Sequence, residues 1–197
     1  MLLNNDIVNN FNDDIDAAIA ALKSNGVILY PTDTIWGLGC DATKDEAVEK
    51  IFNIKARDES KSLIILVNNE QMLERYVDNI PDIAFELISV SEKPLTIIYP
   101  KGKNLAKGVC AADGSVGIRI CRDEFCNQLL TQFRKPLVST SANFSGKPSP
   151  EFFGDIEPEL INMVDYSVKY RQNDRQKRTP SSIIKLNADR TIEIIRK

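Results

Sequence analysis

The sequence predicts an α/β (α+β) fold, one domain over residues 1–197, built on a twisted, mostly mixed β-sheet flanked by helices. Three observations carry this. Segments with helical spacing and short apolar runs are interleaved but do not alternate strictly, which favours a mixed sheet over a strictly doubly wound one. The run Leu63-Ile64-Ile65-Leu66-Val67 is continuously apolar, as befits a central strand covered on both faces. The length of 197 residues suits one domain, or at most two small ones. Such a chain buries roughly 70% of its unfolded surface and needs no disulfide or structural metal to fold.

The elements follow in order. Asn12 or Asp13 reads as an N-cap, and Ile15, Ala18, Ile19 and Leu22 recur at helical spacing before Gly26. Val27-Ile28-Leu29-Tyr30 reads as a buried strand stopped by Pro31. Residues 32–41 form a polar, Gly-rich connection. Residues 45–56 have a helical pattern through Ala47, Val48, Ile51, Phe52 and Ile54. Residues 71–76 and 83–90 are helical candidates, 95–99 and 116–120 strands, and 125–133 a helix. Leu137-Val138-Ser139 is a short strand leading into a loop at Thr140-Ser141-Ala142-Asn143. Residues 181–186 and 191–195 are closing strands joined by a turn at Asn187-Ala188-Asp189-Arg190.

The chain contains no histidine. That excludes Ser-His-Asp and Cys-His nucleophilic machinery, imidazole proton shuttling and His-ligated zinc. Chemistry must rest on Lys, Arg, carboxylates, hydroxyls, backbone amides or an oxygen-bound metal. The formal charge of −3 argues against a general nucleic-acid binder, though not against a local cationic site. Cys40, Cys110, Cys121 and Cys126 form no CxxC pair and are expected to be reduced thiols. The N-terminus lacks the basic and apolar regions of a signal peptide, and no apolar run approaches membrane-spanning length. A soluble, cytoplasmic protein without membrane partners is expected.

Some motifs are decoys. Gly37-Leu38-Gly39-Cys40-Asp41-Ala42 matches the dinucleotide pattern G-x-G-x-x-A, but Pro31-Thr32-Asp33-Thr34-Ile35-Trp36 separates it from the preceding strand. Two glycines allowing a backbone bend near a site or sheet edge is the simpler reading. Gly146-Lys147 lacks the first glycine of a P-loop. Ser139 and Ser141 have neither a G-x-S-x-G context nor a histidine base, and read as hydroxyl donors.

Polar clusters at the ends of predicted strands point to the chemistry. They are Pro31-Thr32-Asp33-Thr34, Lys55-Ala56-Arg57 with Lys61, and Ser139-Thr140-Ser141-Ala142-Asn143. Arg119 lies on an apolar strand, with Ser115 on the same face by two-residue alternation. A buried arginine is costly unless it meets an anion, and its fork suits a carboxylate or phosphate. Ligands in open α/β sheets gather at strand ends. The set suits a polyanion such as a nucleoside triphosphate beside a small carboxylate. A surface salt-bridge network with loop caps is the alternative. The charged segments 55–62 and 171–178, the latter with Arg171, Arg175, Lys177 and Arg178, interrupt the packing pattern.

Taken in order, these residues resemble the YrdC family of threonylcarbamoyl-AMP synthases from about Asp14 to Arg196. The marks are Tyr30-Pro31-Thr32-Asp33-Thr34-Ile35-Trp36-Gly37-Leu38-Gly39, Lys55-x-Arg57, Pro94-Leu95-Thr96, Val116-Gly117-Ile118-Arg119, Ser139-Thr140-Ser141-Ala142-Asn143-Phe144-Ser145-Gly146 and Pro180-Ser181-Ser182-Ile183-Ile184. The resemblance implies a concave active site. It implies that L-threonine, bicarbonate (or CO2) and ATP give threonylcarbamoyl-AMP and pyrophosphate, by nucleotidyl transfer. A separate transferase complex would then modify tRNA. By the same matching, Lys55, Arg57, Ser141 and Asn143 form a catalytic tetrad. Thr34, Arg119, Ser139 and Ser181 hold threonine. Lys61, Ser115 and Arg196, with the tetrad, approach ATP, and Mg²⁺ accompanies the nucleotide on phosphate oxygens and water.

The chain departs from the pattern in places. Ser60-Lys61-Ser62 replaces a common D-N-P, so a neutral contact to ATP becomes cationic. Leu66 stands where many members carry histidine, and Ser91-Glu92-Lys93-Pro94 replaces W-P-G-P. The end at Lys197 leaves the synthase domain alone, without the additional C-terminal domain of longer members. Two other readings are a carbamoyl-adenylate enzyme of related fold and a YrdC-like module that binds double-stranded RNA, with residues 171–178 making a weak contact.

Overall fold

A computed structural model describes residues 11–56, 63–187 and 191–197. Its helices are α1 (Asn12–Lys23), α2 (Asp45–Lys55), α3 (Glu70–Leu73), α4 (Asp82–Val90), α5 (Glu124–Phe133) and α6 (Pro158–Asn162). The strands are β1 (Ile28–Tyr30), β2 (Gly37–Gly39), β3 (Ile64–Val67), β4 (Leu95–Tyr99), β5 (Val116–Ile120), β6 (Leu137–Ser141), β7 (Tyr166–Ser167), β8 (Ser182–Leu186) and β9 (Ile192–Arg196). They make one mixed sheet in the order β7-β1-β2-β6-β3-β5-β4-β8-β9. β3 and β5 pair in parallel at its centre, and β6 runs antiparallel to β3. The expected mixed sheet is therefore present.

Alternation along the strands sends side chains to two cores. On one face Leu29, Leu38, Ile65, Val67, Ile97 and Ile118 pack with Val48, Ile51 and Phe52 of α2, Leu73 of α3 and Ala84 of α4. On the other, Ile28, Tyr30, Leu66 and Leu137 pack under α1 and α5, against Ile15, Leu22, Phe125 and Leu129. The second core does not extend along the whole sheet. Further along that face stand Gly37, Gly117, Thr96, Ser139 and Ser141, which are small and leave the sheet uncovered. A Cβ on Gly117 would meet Ile64 at 3.3 Å and Thr96 at 3.6 Å, which places these residues together. The hollow comes from a change in side-chain size along a single face.

Several local expectations change. α1 begins after Phe11, whose carbonyl accepts the Ile15 N–H at 2.9 Å. Phe11 is buried against Phe125 and Tyr170, so packing sets this boundary and not an Asn12 or Asp13 cap. Asp14 is also buried, accepting hydrogen bonds from the Tyr166 hydroxyl and the N–H groups of Lys169 and Tyr170. The connection 32–41 contains β2, paired antiparallel to β1 and β6. β6 continues through Ser141, so Thr140 and Ser141 are strand residues. The helix expected over 71–76 is Glu70–Leu73, capped by the Asn69 side chain accepting from Met72 N–H at 2.7 Å. The short β7 and α6 have too few residues to show periodicity. The turn expected at 187–190 falls largely outside the described residues.

Gly37 and Gly39 lie in a strand, not in a strand-to-helix turn, which removes the dinucleotide reading. A Cβ on Gly39 would meet Tyr30 Cε1 at 2.6 Å and the Val138 carbonyl at 2.9 Å. No helix among the described residues is long and apolar enough to cross a membrane.

All four cysteines are free thiols; Cys40, Cys121 and Cys126 are buried and Cys110 is half-buried. Burial raises the pKa of Cys40, Cys110 and Cys126, which suppresses thiolate. Iodoacetamide should therefore modify the native protein slowly, at Cys110 first, with the others reacting only after unfolding, as peptide mass spectrometry would show. Gly39→Ala should lower unfolding stability by about 1–3 kcal/mol in urea titrations, because both obstructing groups belong to the sheet.

Candidate functional site

The uncovered part of the sheet forms a cavity of about 250 Å³. Thr34, Trp36 and Gly37 line it from the β1–β2 connection, Leu63 and Ile64 from the start of β3, and Arg119 from β5. Ser139, Thr140 and Ser141 of β6, Ser149, Pro180, Ser181 and Arg196 complete its wall. Five strands, β2, β3, β5, β6 and β9, and the loops beside them therefore meet there. The expected threonine set, Thr34, Arg119, Ser139 and Ser181, is assembled in full.

Arg119 is only 4% exposed. Its Nη2 donates to Thr34 Oγ1 at 3.3 Å and lies 3.0 Å from Asp33 Oδ1. Its Nε is buried without a hydrogen-bond partner. Arg119 lines the cavity, and a buried arginine with an unmet donor favours an anion beside it. Thr34 is fixed from behind: its N–H donates to Thr32 Oγ1 at 3.0 Å, and the two hydroxyls lie 2.9 Å apart. Thr32 Oγ1 in turn donates to the Ile35 carbonyl. The residues of Pro31-Thr32-Asp33-Thr34 thus brace one another and the arginine.

Across the cavity, Ser181 Oγ lies 2.8 Å from Thr96 Oγ1. Arg196 donates from Nε to the Ser181 carbonyl at 2.9 Å and from Nη2 towards Ser181 Oγ at 3.4 Å. Partial burial and the nearby Arg119 charge both lower the Arg196 pKa. Arg119 and Arg196 are the charged residues among the described lining, so the cavity is electropositive. With its hydroxyls it can hold a small anion that also carries hydroxyl or amine groups.

Lys55 stands beside two other members of the expected tetrad, Ser141 and Asn143. Its side chain is buried at the end of α2, and Nζ donates to the carbonyls of Ser141 at 2.6 Å and Asn143 at 2.7 Å. The Lys55 carbonyl accepts from Ser145 N–H at 3.1 Å. The ammonium therefore fastens the chain at and just beyond the end of β6. Asn143 Nδ2 donates to the carbonyls of Phe144 and Lys147, and its Oδ1 is buried without a partner. Lys55, Ser141 and Asn143 are thus brought together, while Arg57 and Lys61 lie outside the described residues. Ser115 is buried at the start of β5, beside Asp113, and does not line the cavity. Leu66 is fully buried under α5; Ile64, two residues earlier on the same face, lines the cavity instead. A histidine at position 66 would stand behind the wall and not in it.

Sequence reasoning missed Ser149, Pro180 and Trp36 as lining residues. Trp36 packs on Phe153, with ring centroids 5.0 Å apart, and reads in sequence as ordinary core. The cations of residues 171–178 are engaged within the protein. Arg171 pairs with Asp123 and Arg178 with Asp174, Lys177 pairs with Glu151, and Arg175 lies over the Phe152 ring. Arg178 also donates to the Thr32 carbonyl. Through the Arg178 contact this segment buttresses the loop that carries Thr34.

A family model for the Sua5, YciO and YrdC proteins, described as telomere recombination, matches residues 20–197. The threonylcarbamoyl-AMP synthase of Pseudoalteromonas translucida is 35% identical over 157 residues, covering 78% of this chain and 84% of that relative. A double variant of P. abyssi Sua5 superposes with a TM-score of 0.83 at 26% identity, covering 92% of this chain and 55% of the other. P. abyssi Sua5 complexed with L-threonine superposes with a TM-score of 0.78 at 26% identity, covering 87% and 50%. The chain therefore spans about half the length of P. abyssi Sua5 but most of the P. translucida relative.

Hydrogen bonds to a charged donor are each worth about 1.5–3 kcal/mol. Lys55→Met should accordingly lower stability by about 2–3 kcal/mol and speed amide exchange in residues 143–147, read by hydrogen-exchange mass spectrometry.

Proposed function

The chain belongs to the Sua5, YciO and YrdC family, and from that premise we propose that it makes L-threonylcarbamoyl-AMP for the threonylcarbamoyladenosine modification of tRNA. Its substrates are L-threonine, bicarbonate or CO2, and ATP, and its second product is pyrophosphate. The observation that carries the reading is the cavity in which Arg119, with its unpartnered Nε, meets Thr34, Ser139 and Ser181. This set matches a hydroxy-amino acid: a guanidinium for the carboxylate and hydroxyl groups for the amine and side-chain hydroxyl.

In this mechanism the threonine amine bonds to the carbon of CO2 and loses a proton, giving a carbamate. Starting from bicarbonate, the same bond formation releases water. A carbamate oxygen then bonds to the α-phosphorus of ATP while the bond to the β-phosphate oxygen breaks, releasing pyrophosphate. The reaction is a nucleotidyl transfer that needs positioning and charge stabilisation more than acid–base groups. A chain without histidine can supply both.

Arg119 holds the carboxylate, with Thr34, Ser139 and Ser181 orienting the rest of threonine. Arg196 and Ser141, which line the cavity, are assigned to ATP with Ser115 and Asn143; Arg57 and Lys61, which lie outside the described residues, are assigned to it on the family resemblance alone. Lys55 maintains the β6 end on which Ser141 and Asn143 are carried. Among the described residues no cluster of three or more His, Cys, Asp or Glu side chains is suited to a metal. Mg²⁺ would accompany the nucleotide, held mainly by phosphate oxygens and water, and would supply neutralisation of phosphate charge. The product passes to a separate tRNA threonylcarbamoyl transferase in the cytoplasm. The carbamoyl-adenylate alternative, which would begin from carbamoyl phosphate, makes no use of a pocket fitted to an amino acid.

Pyrophosphate release from ATP and bicarbonate with Mg²⁺ should require L-threonine and cease when EDTA removes the metal. Release independent of threonine, or no release, would sink the reading. Arg119→Ala should raise the threonine KM at least tenfold while changing the ATP KM much less, as initial-rate kinetics would measure.

A further inference from the structure

Asp33 lies at the boundary of the amino-acid pocket without lining it. Its Oδ1 is 3.0 Å from Arg119 Nη2, with the two side chains 14% and 5% exposed. It faces a second cavity of about 280 Å³, formed with Pro94, Leu95, Ile120, Arg122 and Arg178. The carboxylate thus meets an arginine that lines the amino-acid pocket, while Asp33 itself lines only the second cavity. Asp33 Oδ1 makes no aligned hydrogen bond; Nη2 directs its bond to Thr34 Oγ1. Charge, more than hydrogen-bond geometry, is what Asp33 contributes.

That charge changes what the pocket selects. Arg119 and Arg196 are close enough for each to feel the other, since the Arg119 charge depresses the Arg196 pKa. Two bare guanidiniums around one small cavity would favour a dianion, such as a phosphate group of the second substrate. With Asp33 in contact, the described cluster carries a net charge of +1, which one carboxylate neutralises. We propose that Asp33 is a specificity-determining residue that sets the pocket for a monocarboxylate and keeps dianions out of the amino-acid position. The assignment rests on the reading of this cavity as the threonine site. Asp33 acts through Arg119 and is a positioning residue, not a catalytic one.

The test measures L-threonine binding by calorimetry and its displacement by inorganic sulfate or by acetate. On the native protein, acetate should displace threonine at lower concentration than sulfate. In Asp33→Asn and Asp33→Ser the preference for threonine over sulfate should fall at least tenfold, whereas Asp33→Glu should stay within threefold of native. Thermal melts establish that each variant is folded, and the native competition needs no variant. Sulfate outcompeting acetate on the native protein would overturn the inference. So would a selectivity within twofold of native in folded Asp33→Asn or Asp33→Ser, or a loss in Asp33→Glu as large as in Asp33→Asn. In each of these cases threonine binding to the native protein leaves the function reading standing. Absence of threonine binding to the native protein would instead overturn the function reading and the inference with it.

Discussion

A guanidinium in the middle of a sheet, almost out of water, has to be compensated by its surroundings, and Arg119 is in that position. An unpaired buried charge costs several kcal/mol. The β1–β2 connection supplies Asp33 and Thr34 to it, Thr32 fixes Thr34, and Arg178 holds the Thr32 carbonyl. Five side chains from three parts of the chain thereby brace one another. The compensation is incomplete, because Nε is left without a partner. The same constraint that organises the loops leaves a defined place for a substrate carboxylate.

The cavity also depends on something simpler than charge. Large apolar residues cover one part of a sheet face, under α1 and α5, while Gly37, Gly117, Thr96, Ser139 and Ser141 occupy the rest. No helix packs where there is no bulk to pack against. The end of β6, which carries Ser141 into the cavity wall, is held by the two carbonyl contacts of Lys55. Structure and substrate contact are divided between residues adjacent in the sequence motifs.

Much of the fold was legible because it depends on patterns of the right length. The strands at 95–99 and 116–120 match β4 and β5, and the helical spacing of residues 45–56 gives α2 within a residue. Strands of two or three residues, such as β7 and β2, and a helix of little more than one turn, α6, carry too few positions for their period to emerge. At Phe11 burial overrode the local preference for an Asn or Asp cap. In the site, Thr34, Arg119, Ser139 and Ser181 were visible because their chemistry is unusual for strand ends. Ser149 and Trp36 were not, since a serine in a loop and a tryptophan near a core have commoner explanations.

The sequence by itself determined the mixed α/β fold, the exclusion of histidine-based chemistry and the residue types of an anion site. Those conclusions need only composition, periodicity and the cost of burying charge. Only the tertiary structure decided which groups face the cavity. Lys55 and Ser141 belong to one motif set, yet one anchors the end of β6 and the other lines the cavity. Ser115 and Arg119 share a strand face, yet only Arg119 lines the cavity. Asp33 and Thr34 are neighbours that both meet Arg119, yet only Thr34 lines the cavity. The physical reason is that a side chain's role here depends on the face and depth at which it meets the sheet. Those are fixed by strand pairing between segments far apart in the chain, where linear spacing carries no information.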